Sequence, residues 1–423
     1  MPPEVASQRS HWTLGQWLAW QEQLHPKRIE LGLGRVRSVA QVLGVLETSA
    51  RTVTVAGTNG KGSTAKLIAE LLQAEGKPVG LYTSPHLLTY NERVCIHGEL
   101  VDDTALCAAF RAVDSARGDT SLTYFEFGTL AALYLFQQAK VSFQVLEVGL
   151  GGRLDAVNIV DTDCAVLTSI GLDHQDWLGS DLAGIAVEKL GIARPDRPLV
   201  CGQIVPQADV PRQARQTGAR VYQLGVDFEC AASADAWTYS EPNLRWQTLP
   251  LPRAAGSHQL GNAAVALQAV KQVLGRLPER RAAESALITA ALPGRSQRIG
   301  QVWLDVSHNE QAAKALAAQL RAVPCTGQRH LLLAMLADKD AAAYLRALSG
   351  CFDSLLCAGL SGERGRDAGQ LKQAVSAVWL GEVRLANTVT EGLAILQSSA
   401  GADDEIVVCG SFHTVAEALA VLA

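Results

Sequence analysis

A glycine-rich loop between an apolar segment and a helical one constrains the fold of this chain more than any other feature. The loop reads Gly57-Thr58-Asn59-Gly60-Lys61-Gly62-Ser63, after the β-branched segment 52–56 and before the helical pattern of 63–72. Glycines let backbone N–H groups surround an anion, the helix N-terminus adds partial positive charge, and a lysine can reach the outer phosphates. We therefore predict that residues 58–63 bind the phosphates of a nucleotide; the alternative is a glycine-rich turn with a surface lysine.

The chain alternates short apolar segments with helical ones, which predicts an α/β protein with a mainly parallel sheet. Its 423 residues are too many for one ordinary core. Helical patterning stops at Pro293-Gly294 and the alternation restarts at 302–306. We therefore predict a P-loop NTPase-type domain over residues 1–296 and a smaller Rossmann-like α/β domain over residues 297–423. Strands are expected at 52–56, 78–82, 143–148, 165–170, 302–306, 330–334, 354–357 and 405–409, with a few antiparallel strands between about 200 and 255.

Charge and composition argue against several classes of protein. The formal net charge of −5 does not favour a nucleic-acid backbone or an anionic membrane surface. No apolar run approaches the ~20 residues that span a bilayer, and the N-terminus lacks the pattern of a signal peptide. The nine cysteines are scattered without a Cys-x-x-Cys pair, which is typical of reduced thiols. We expect a cytoplasmic monomer that binds small molecules, with no nucleic-acid or membrane partner.

Polar residues stand at the ends of three predicted strands. Glu147 closes an apolar strand, Asp173-His174 follows the next one, and Ser84 follows the strand at 78–82. In open parallel sheets the ligand crevice lies at the carboxyl ends of the strands, and carboxylate oxygens suit Mg²⁺. Taken singly, each residue is explained as well by a strand-end cap, a hydrogen-bonded histidine or a turn serine.

Several segments together resemble the Mur ligase superfamily, and more narrowly its folate branch of dihydrofolate synthases and folylpolyglutamate synthases. They are the loop 57–63, the segment Thr83-Ser84-Pro85-His86-Leu87, and the segment Glu147-Val-Gly-Leu-Gly-Gly-Arg-Leu-Asp155. The match extends from segment 25–36 to segment 410–415, which is nearly the whole chain. The resemblance implies an ATP- and Mg²⁺-dependent ligase that adds L-glutamate to dihydropteroate and to reduced folates through an acyl phosphate.

The resemblance also implies roles for single residues. Together with the loop pattern, it gives a nucleotide-binding set of Thr58, Asn59, Gly60, Lys61, Gly62, Ser63, Asn262, Arg295 and Asp305. The implied metal ligands are Ser84, Glu147, His174 and Lys189, with Lys189 acting as a carbamate at a second Mg²⁺ site. Lys61, His174 and Lys189 are the expected catalytic residues. From the residues alone, Lys189 is a salt-bridging lysine of an amphipathic helix, Asn262 a helix N-cap, and Arg295 and Asp305 partners in a hinge salt bridge.

A pterin needs aromatic faces for stacking and polar contacts at its edge. By resemblance, the dihydropteroate site is lined by Gly32, Leu33, Gly34, Arg35, Thr123, Tyr124, Phe125, Glu126 and Leu154. Gly34 departs from the bulkier polar residue expected there. The spacing of 122–127 is equally compatible with an aromatic helix start packed into the core.

Three other functions fit parts of the sequence. A ligase with only one of the two folate activities is the nearest. A cell-wall precursor ligase should carry a separate N-terminal uridine-nucleotide domain, and only 56 residues precede this loop. A P-loop kinase or a nucleotide-gated binding module would share the phosphate loop without requiring glutamate.

Overall fold

The computed structural model describes residues 9–27, 29–202, 205–253 and 256–422. The chain forms two compact units. The first comprises Met1–Leu251 and Leu260–Ala290, and the second Pro252–Gln259 and Ala291–Ala423. Each unit contains its own sheet covered by helices, so the predicted α/β class with two sheets is confirmed. Within the described ranges, no helix combines the length and apolar character needed to cross a bilayer.

An eight-stranded sheet forms the centre of the first unit, in the order β4-β3-β2-β5-β1-β6-β7-β8. Strands β1 to β8 are Arg51–Ala56, Val79–Tyr82, Val94–Ile96, Glu99–Leu100, Phe143–Glu147, Cys164–Leu167, Pro198–Cys201 and Arg220–Gln223. Strands β2, β5, β1, β6, β7 and β8 pair in parallel, and the short β3 and β4 extend the sheet antiparallel at one edge.

The helices before residue 291 pack on the two faces of this sheet. Helices α1 to α10 are Leu14–Leu24, Gly34–Leu43, Lys61–Ala74, Asp103–Arg117, Tyr124–Gln138, Gln175–Leu178, Leu182–Leu190, Val210–Gln216, Ser257–Leu274 and Arg280–Thr289, with 3₁₀ turns at Tyr90–Arg93, Ala156–Ile159 and Pro206–Ala208. Alternate residues of β6 enter opposite cores: Ala165 and Leu167 on one face, Cys164 and Val166 on the other. Burial on both faces explains why the central strands are nearly continuous apolar runs.

A separate antiparallel sheet of three strands, β9 (Glu229–Ala232), β10 (Ala236–Glu241) and β11 (Leu244–Pro250), packs its buried Trp237 and Tyr239 against one of these cores. The predicted antiparallel strands are therefore present at 229–250. The same stretch also contains β8, which was not predicted and which continues the parallel sheet after β7. A four-residue strand that is only partly buried, such as β8, carries little information about pairing direction, which the tertiary structure decides.

The second unit contains a six-stranded sheet in the order β12-β13-β17-β14-β15-β16. Strands β12 to β17 are Gln297–Ile299, Val302–Asp305, Arg329–Leu333, Ser354–Ala358, Val383–Ala386 and Glu405–Cys409, and helices α11 to α15 are Glu310–Ala322, Ala341–Ala347, Ala368–Val375, Val389–Ser399 and Phe412–Leu422. All pairs are parallel except β12 with β13. The sequence predicted β13, β14, β15 and β17 but missed β12 and β16, which lie at the two edges and are only partly buried.

Candidate active site

The glycine loop connects β1 to α3, as the sequence predicted. Gly60 has a φ of 83° and precedes Lys61, the first residue of α3, so the first turn of the helix is part of the loop. The Lys61 ammonium donates to the carbonyl oxygens of Gly57, at 3.1 Å, and Thr58, at 3.3 Å. Gly62 is buried in that first turn, and Ser63 is partly exposed. The backbone N–H groups of a helix start are thus presented where an anion would bind.

Two hydroxyl side chains after β6 hold the loop in place. Thr168 Oγ1 donates to the carbonyl oxygen of Asn59 at 2.7 Å, and Ser169 Oγ contacts both the N–H and the carbonyl of Asn59, at 3.0 and 3.1 Å. A side chain at Gly57 would place its Cβ 1.9 Å from Thr168 Oγ1, so only glycine fits. Neither hydroxyl was predicted, because the strand was expected to continue to residue 170, whereas β6 ends at Leu167.

Asn262 lies against the loop. A Cβ at Gly60 would lie 2.7 Å from Asn262 Oδ1. Asn262 is the sixth residue of α9 (Ser257–Leu274), so the alternative role as a helix N-cap is wrong. Its amide is well placed to contact a nucleotide beside the loop, and that role remains a prediction.

Glu147 and Ser84 meet at the carboxyl edge of the sheet. Glu147 is the last residue of β5, is 3% exposed, and accepts a 2.9 Å hydrogen bond from the backbone N–H of Ser84. The register Val55 opposite Glu147 places this carboxylate beside the strand that leads into the phosphate loop. A buried carboxylate and a serine hydroxyl beside a phosphate site are oxygen donors of the kind that Mg²⁺ binds.

Lys189, near the C-terminal end of α7, points at the same loop. Its ammonium is buried and donates to the carbonyl oxygen of Gly57 at 3.1 Å, the oxygen that Lys61 also contacts. Burial, with Lys61 adding repulsion, lowers the pKa of Lys189 to about 7. The neighbouring Glu188 pairs with Arg153 at 2.7 Å instead. The interpretation of Lys189 as a salt-bridging lysine of an amphipathic helix is therefore wrong.

His174 lines the pocket that contains Lys61 and Lys189. It has a φ of 52°, precedes the short helix α6, and is exposed. Among the residues that the structure describes, no three His, Cys, Asp or Glu side chains form a cluster able to hold a metal ion. A complete set of metal ligands at this edge would therefore need groups of other types, such as the Ser84 hydroxyl and a modified Lys189.

Asp155, which was not predicted as a site residue, is buried close to the phosphate loop. It follows the glycine segment 149–152, and its carboxylate accepts from the backbone N–H groups of Leu150, at 2.8 Å, and Val157, at 3.1 Å. Burial raises its pKa to about 7. The glycine segment packs tightly on α7, since a Cβ at Gly152 would lie 2.7 Å from the carbonyl oxygen of Glu188. No periodic signal marks Asp155, which Arg153 and Leu154 separate from Gly152.

The predicted pterin-binding segments come together beside this edge. Thr123 caps α5, and its N–H donates to Glu126 Oε2 at 2.7 Å. Arg35 Nη2 donates to Glu126 Oε1 at 3.1 Å, joining segment 32–35 to segment 123–126. A Cβ at Gly149 would lie 2.7 Å from the ring of Phe125, so this ring covers the glycine segment. Leu154 precedes the 3₁₀ turn Ala156–Ile159, which contacts both α2 and α5.

Tyr124, in the same segment, contacts other side chains than Phe125 does. Its ring contacts Tyr90 edge-on, and the Arg93 guanidinium lies 5.4 Å from its centre. Burial raises the pKa of Tyr124 to about 12. At this aromatic helix start, Phe127 packs in the core, whereas Tyr124 and Phe125 are partly exposed.

In the second unit, Arg295 and Asp305 lie at the carboxyl end of β13. Asp305 Oδ2 accepts from the backbone N–H of Ser296 at 2.9 Å, and the Arg295 guanidinium lies 4.9 Å from the ring centre of Phe412. Asp305 therefore anchors the segment that follows Arg295. Their contact with a nucleotide remains a prediction.

A phosphate loop at the carboxyl edge of a parallel sheet, with two lysines and a buried carboxylate beside it, defines a nucleotide-dependent enzyme that activates a substrate through phosphate chemistry. Two family models match the chain: the Mur ligase middle domain over residues 55–270, and the Mur ligase glutamate ligase domain over residues 294–412.

Known relatives narrow the class further. The dihydrofolate synthase/folylpolyglutamate synthase of Escherichia coli is 42% identical over 423 residues, covering 99% of this chain and 97% of the relative. The solved structure of E. coli FolC in complex with DHPP and ADP superimposes with a TM-score of 0.92, at 42% identity and 98% coverage of both chains. The solved structure of a bifunctional folylpolyglutamate synthase/dihydrofolate synthase with Mn, AMPPNP and L-glutamate bound superimposes with a TM-score of 0.89, at 42% identity and 98% coverage of both chains. The chain belongs to the dihydrofolate synthase/folylpolyglutamate synthase family of Mur ligases, and it is an ATP-dependent ligase.

Proposed function

We propose that this enzyme uses ATP to join L-glutamate to dihydropteroate, forming dihydrofolate, and to reduced folates, forming folylpolyglutamates. The pterin substrate's carboxylate attacks the γ-phosphorus of ATP, which releases ADP and leaves an acyl phosphate. The amine of L-glutamate then attacks the acyl carbon, and inorganic phosphate leaves as the amide forms.

The observation that carries this proposal is the convergence of Lys61, Lys189 and Glu147 around one loop. Both ammonium groups contact the Gly57 carbonyl oxygen at 3.1 Å, and Glu147 ends the neighbouring strand. Two polyanions and a phosphoryl group in transfer require positive charge more than they require a general base. Lys61 would contact the outer phosphates of ATP, with Thr58, Asn59, Gly60 and Asn262 around the nucleotide.

Ser84, Glu147 and His174 would hold a Mg²⁺ ion, which neutralises phosphate charge when it is bound. Glu147 supplies a fixed carboxylate because its strand position and its hydrogen bond from Ser84 define its orientation. The relative with Mn and AMPPNP bound is consistent with a divalent ion beside the nucleotide.

Lys189 would serve a second Mg²⁺ as a carbamate. An amine reacts with CO₂ only in its neutral form, giving a carbamate and a proton. With a pKa of about 7, roughly half of the Lys189 side chains are neutral at neutral pH, whereas an ordinary lysine is almost fully protonated. The buried site thus favours the modification before any metal binds.

Two residues of the second unit belong to the proposed nucleotide site. Arg295 and Asp305 would also contact the nucleotide. The net charge of −5 and the free, mostly buried cysteines fit a cytoplasmic monomer without nucleic-acid or membrane partners.

Phosphate release tests the proposal directly. The purified enzyme is given ATP and Mg²⁺ with dihydropteroate or tetrahydrofolate, each with and without L-glutamate. Glutamate-dependent release with both pterins is expected. Release with tetrahydrofolate alone would instead assign a folylpolyglutamate synthase activity only; a Lacticaseibacillus casei relative named folylpolyglutamate synthase is 32% identical over 409 residues. Release without glutamate would revive the kinase alternative, which the family assignment leaves without support.

A further inference from the structure

A chain of polar contacts links the N-terminal segment 25–35 to the start of α5. His25 Nδ1 lies 2.9 Å from Ser121 Oγ, and His25 Nε2 lies 2.9 Å from Glu30 Oε2. Glu30 Oε1 accepts from Arg35 Nη1 at 2.7 Å, and Arg35 Nη2 reaches Glu126 Oε1 at 3.1 Å. Each end of the chain is thus attached to the segment 121–126, about 90 residues further along the sequence.

The anchor at one end is rigid. Glu126 is 4% exposed, and its other carboxylate oxygen accepts from the Thr123 N–H in the capping box of α5. A carboxylate fixed by a helix start cannot follow a moving arginine, so it defines where one edge of the Arg35 guanidinium lies.

Arg35 retains a donor for another group. Its Nη1 donates to Glu30, and its Nη2 donates to the Glu30 carbonyl oxygen and to Glu126. Its Nε is buried and has no hydrogen-bond partner among the residues that the structure describes. A buried N–H without a partner is costly, so native proteins rarely leave one unless a water or a ligand completes it.

The contacts of His25 orient Glu30. The His25 side chain is 7% exposed, whereas Glu30 is 34% exposed and would otherwise rotate into solvent. With Nε2 donating to Glu30, Nδ1 is free to accept from the Ser121 hydroxyl, so a neutral imidazole satisfies both contacts. The hydrogen bond from His25 also contributes to lowering the pKa of Glu30, which keeps the carboxylate charged opposite Arg35.

We infer that His25 and Glu30 are positioning residues that hold the Arg35 guanidinium against Glu126, so that Arg35 is fixed in place for contact with the pterin substrate. The inference rests on the proposed function and on the family resemblance, which implies that segments 32–35 and 123–126 line the dihydropteroate site. Neither residue contacts the phosphate loop, so their effect should fall on the pterin substrate and not on ATP.

The test compares three variants in glutamate-dependent phosphate release. His25→Phe removes both hydrogen bonds at similar volume, and His25→Gln retains an amide N–H donor for Glu30 and a carbonyl acceptor for Ser121. Arg9→Gln is the matched control, because Arg9 also ties the N-terminal stretch to the same unit, through a 2.8 Å ion pair with Asp114. A role that is merely structural would make His25→Phe and Arg9→Gln alike.

For His25→Phe we expect KM for dihydropteroate to rise roughly tenfold and KM for ATP to change by less than about twofold. His25→Gln should recover most of the loss, and Arg9→Gln should leave both constants unchanged. An unchanged KM for dihydropteroate, a parallel rise in KM for ATP, or an Arg9→Gln variant that behaves like His25→Phe would overturn the inference. If His25→Phe does not fold, Glu30→Gln takes its place with the same expected result.

Equilibrium binding of dihydropteroate to the ADP-loaded protein, followed by fluorescence, separates the two proposals. If the wild type binds dihydropteroate but shows no glutamate-dependent turnover, the proposed ligase reaction is refuted. In that case a tenfold weaker affinity of His25→Phe for dihydropteroate would still support the positioning role. Equal affinities of wild type and His25→Phe would reject the positioning role whatever the turnover. Absence of wild-type binding would reject both.

Discussion

Replacing Lys189 by methionine should stabilise this enzyme while inactivating it. The lysine is buried in the active site with its ammonium on the Gly57 carbonyl oxygen, close to Lys61. Methionine has a similar length, carries no charge, and packs easily into irregular apolar space. The substitution therefore removes a desolvated cation at the expense of one hydrogen bond.

The size of the effect follows from the pKa of Lys189, which falls from the ordinary 10.5 to about 7 in the folded protein. Between these values the unfolded chain holds a proton that the folded protein has released, so the wild type gains stability as pH rises from 7 to 10.5. At about 1.4 kcal/mol for each pH unit, the charge destabilises the folded state by roughly 4 kcal/mol at pH 7 and about 1 kcal/mol at pH 10. The lost hydrogen bond offsets about 1 kcal/mol.

Lys189→Met should thus be about 3 kcal/mol more stable than wild type at pH 7, and nearly equal to it at pH 10. At pH 7 the transition of the first unit should shift upward by roughly 6–12 °C. Calorimetry of both proteins from pH 7 to pH 10, in CO₂-free buffer, measures the difference. Lys66→Met is the control, since it removes a lysine that pairs with Glu70 on α3 and should not raise the Tm at pH 7. Parallel Tm curves for wild type and Lys189→Met, or a lower Tm of the variant at pH 7, would refute the reasoning.

Four further outcomes are expected. In ¹³C-bicarbonate, NMR of the wild type should show a carbamate signal that Lys189→Met lacks; the same spectrum from both proteins would exclude this lysine. Glu147→Gln should lower phosphate release at least ~100-fold and raise the Mg²⁺ concentration needed for half-maximal rate, and an unchanged Mg²⁺ titration would count against Glu147 as a ligand. Gly152→Ala should lower both Tm and turnover, because its Cβ would lie 2.7 Å from the Glu188 carbonyl oxygen, whereas Gly15→Ala, with nothing within 4 Å, should lower neither. Arg329→Met should reduce the unfolding free energy of the second unit by about 3 kcal/mol in urea, because it breaks the buried 2.8 Å ion pair with Glu405, which keeps only Arg298 at 3.1 Å, and removes the donor to two backbone carbonyls; adding Glu405→Met should restore part of that loss.

The phosphate loop and the main strands were predictable because their signals are local. A β-branched run, a glycine loop and a helical pattern follow one another within 25 residues, and each obeys a period that belongs to one type of element. The observed β1 and α3 match that order. Edge strands such as β16 were missed because a partly exposed strand shows neither a continuous apolar run nor clear alternation.

The group of residues around the loop depended on the sheet order. Glu147 lies beside Val55 because β5 pairs with β1, although 91 residues separate the two. No periodicity reports such a pairing, and the resemblance supplied the role of Glu147 without its contacts. Asp155, Thr168 and Ser169 carried no periodic signal and became visible only through their hydrogen bonds.

By itself, then, the sequence determined an α/β chain with a phosphate loop at Gly57 to Ser63, because the residues that favour the strand, the turn and the helix follow one another along the chain. Only the tertiary structure decided that Lys189, 132 residues further on, would be buried with its ammonium on the carbonyl oxygen of Gly57. Burial is a property of the packed molecule and not of a helical pattern, and it is burial that lowers the pKa of this lysine.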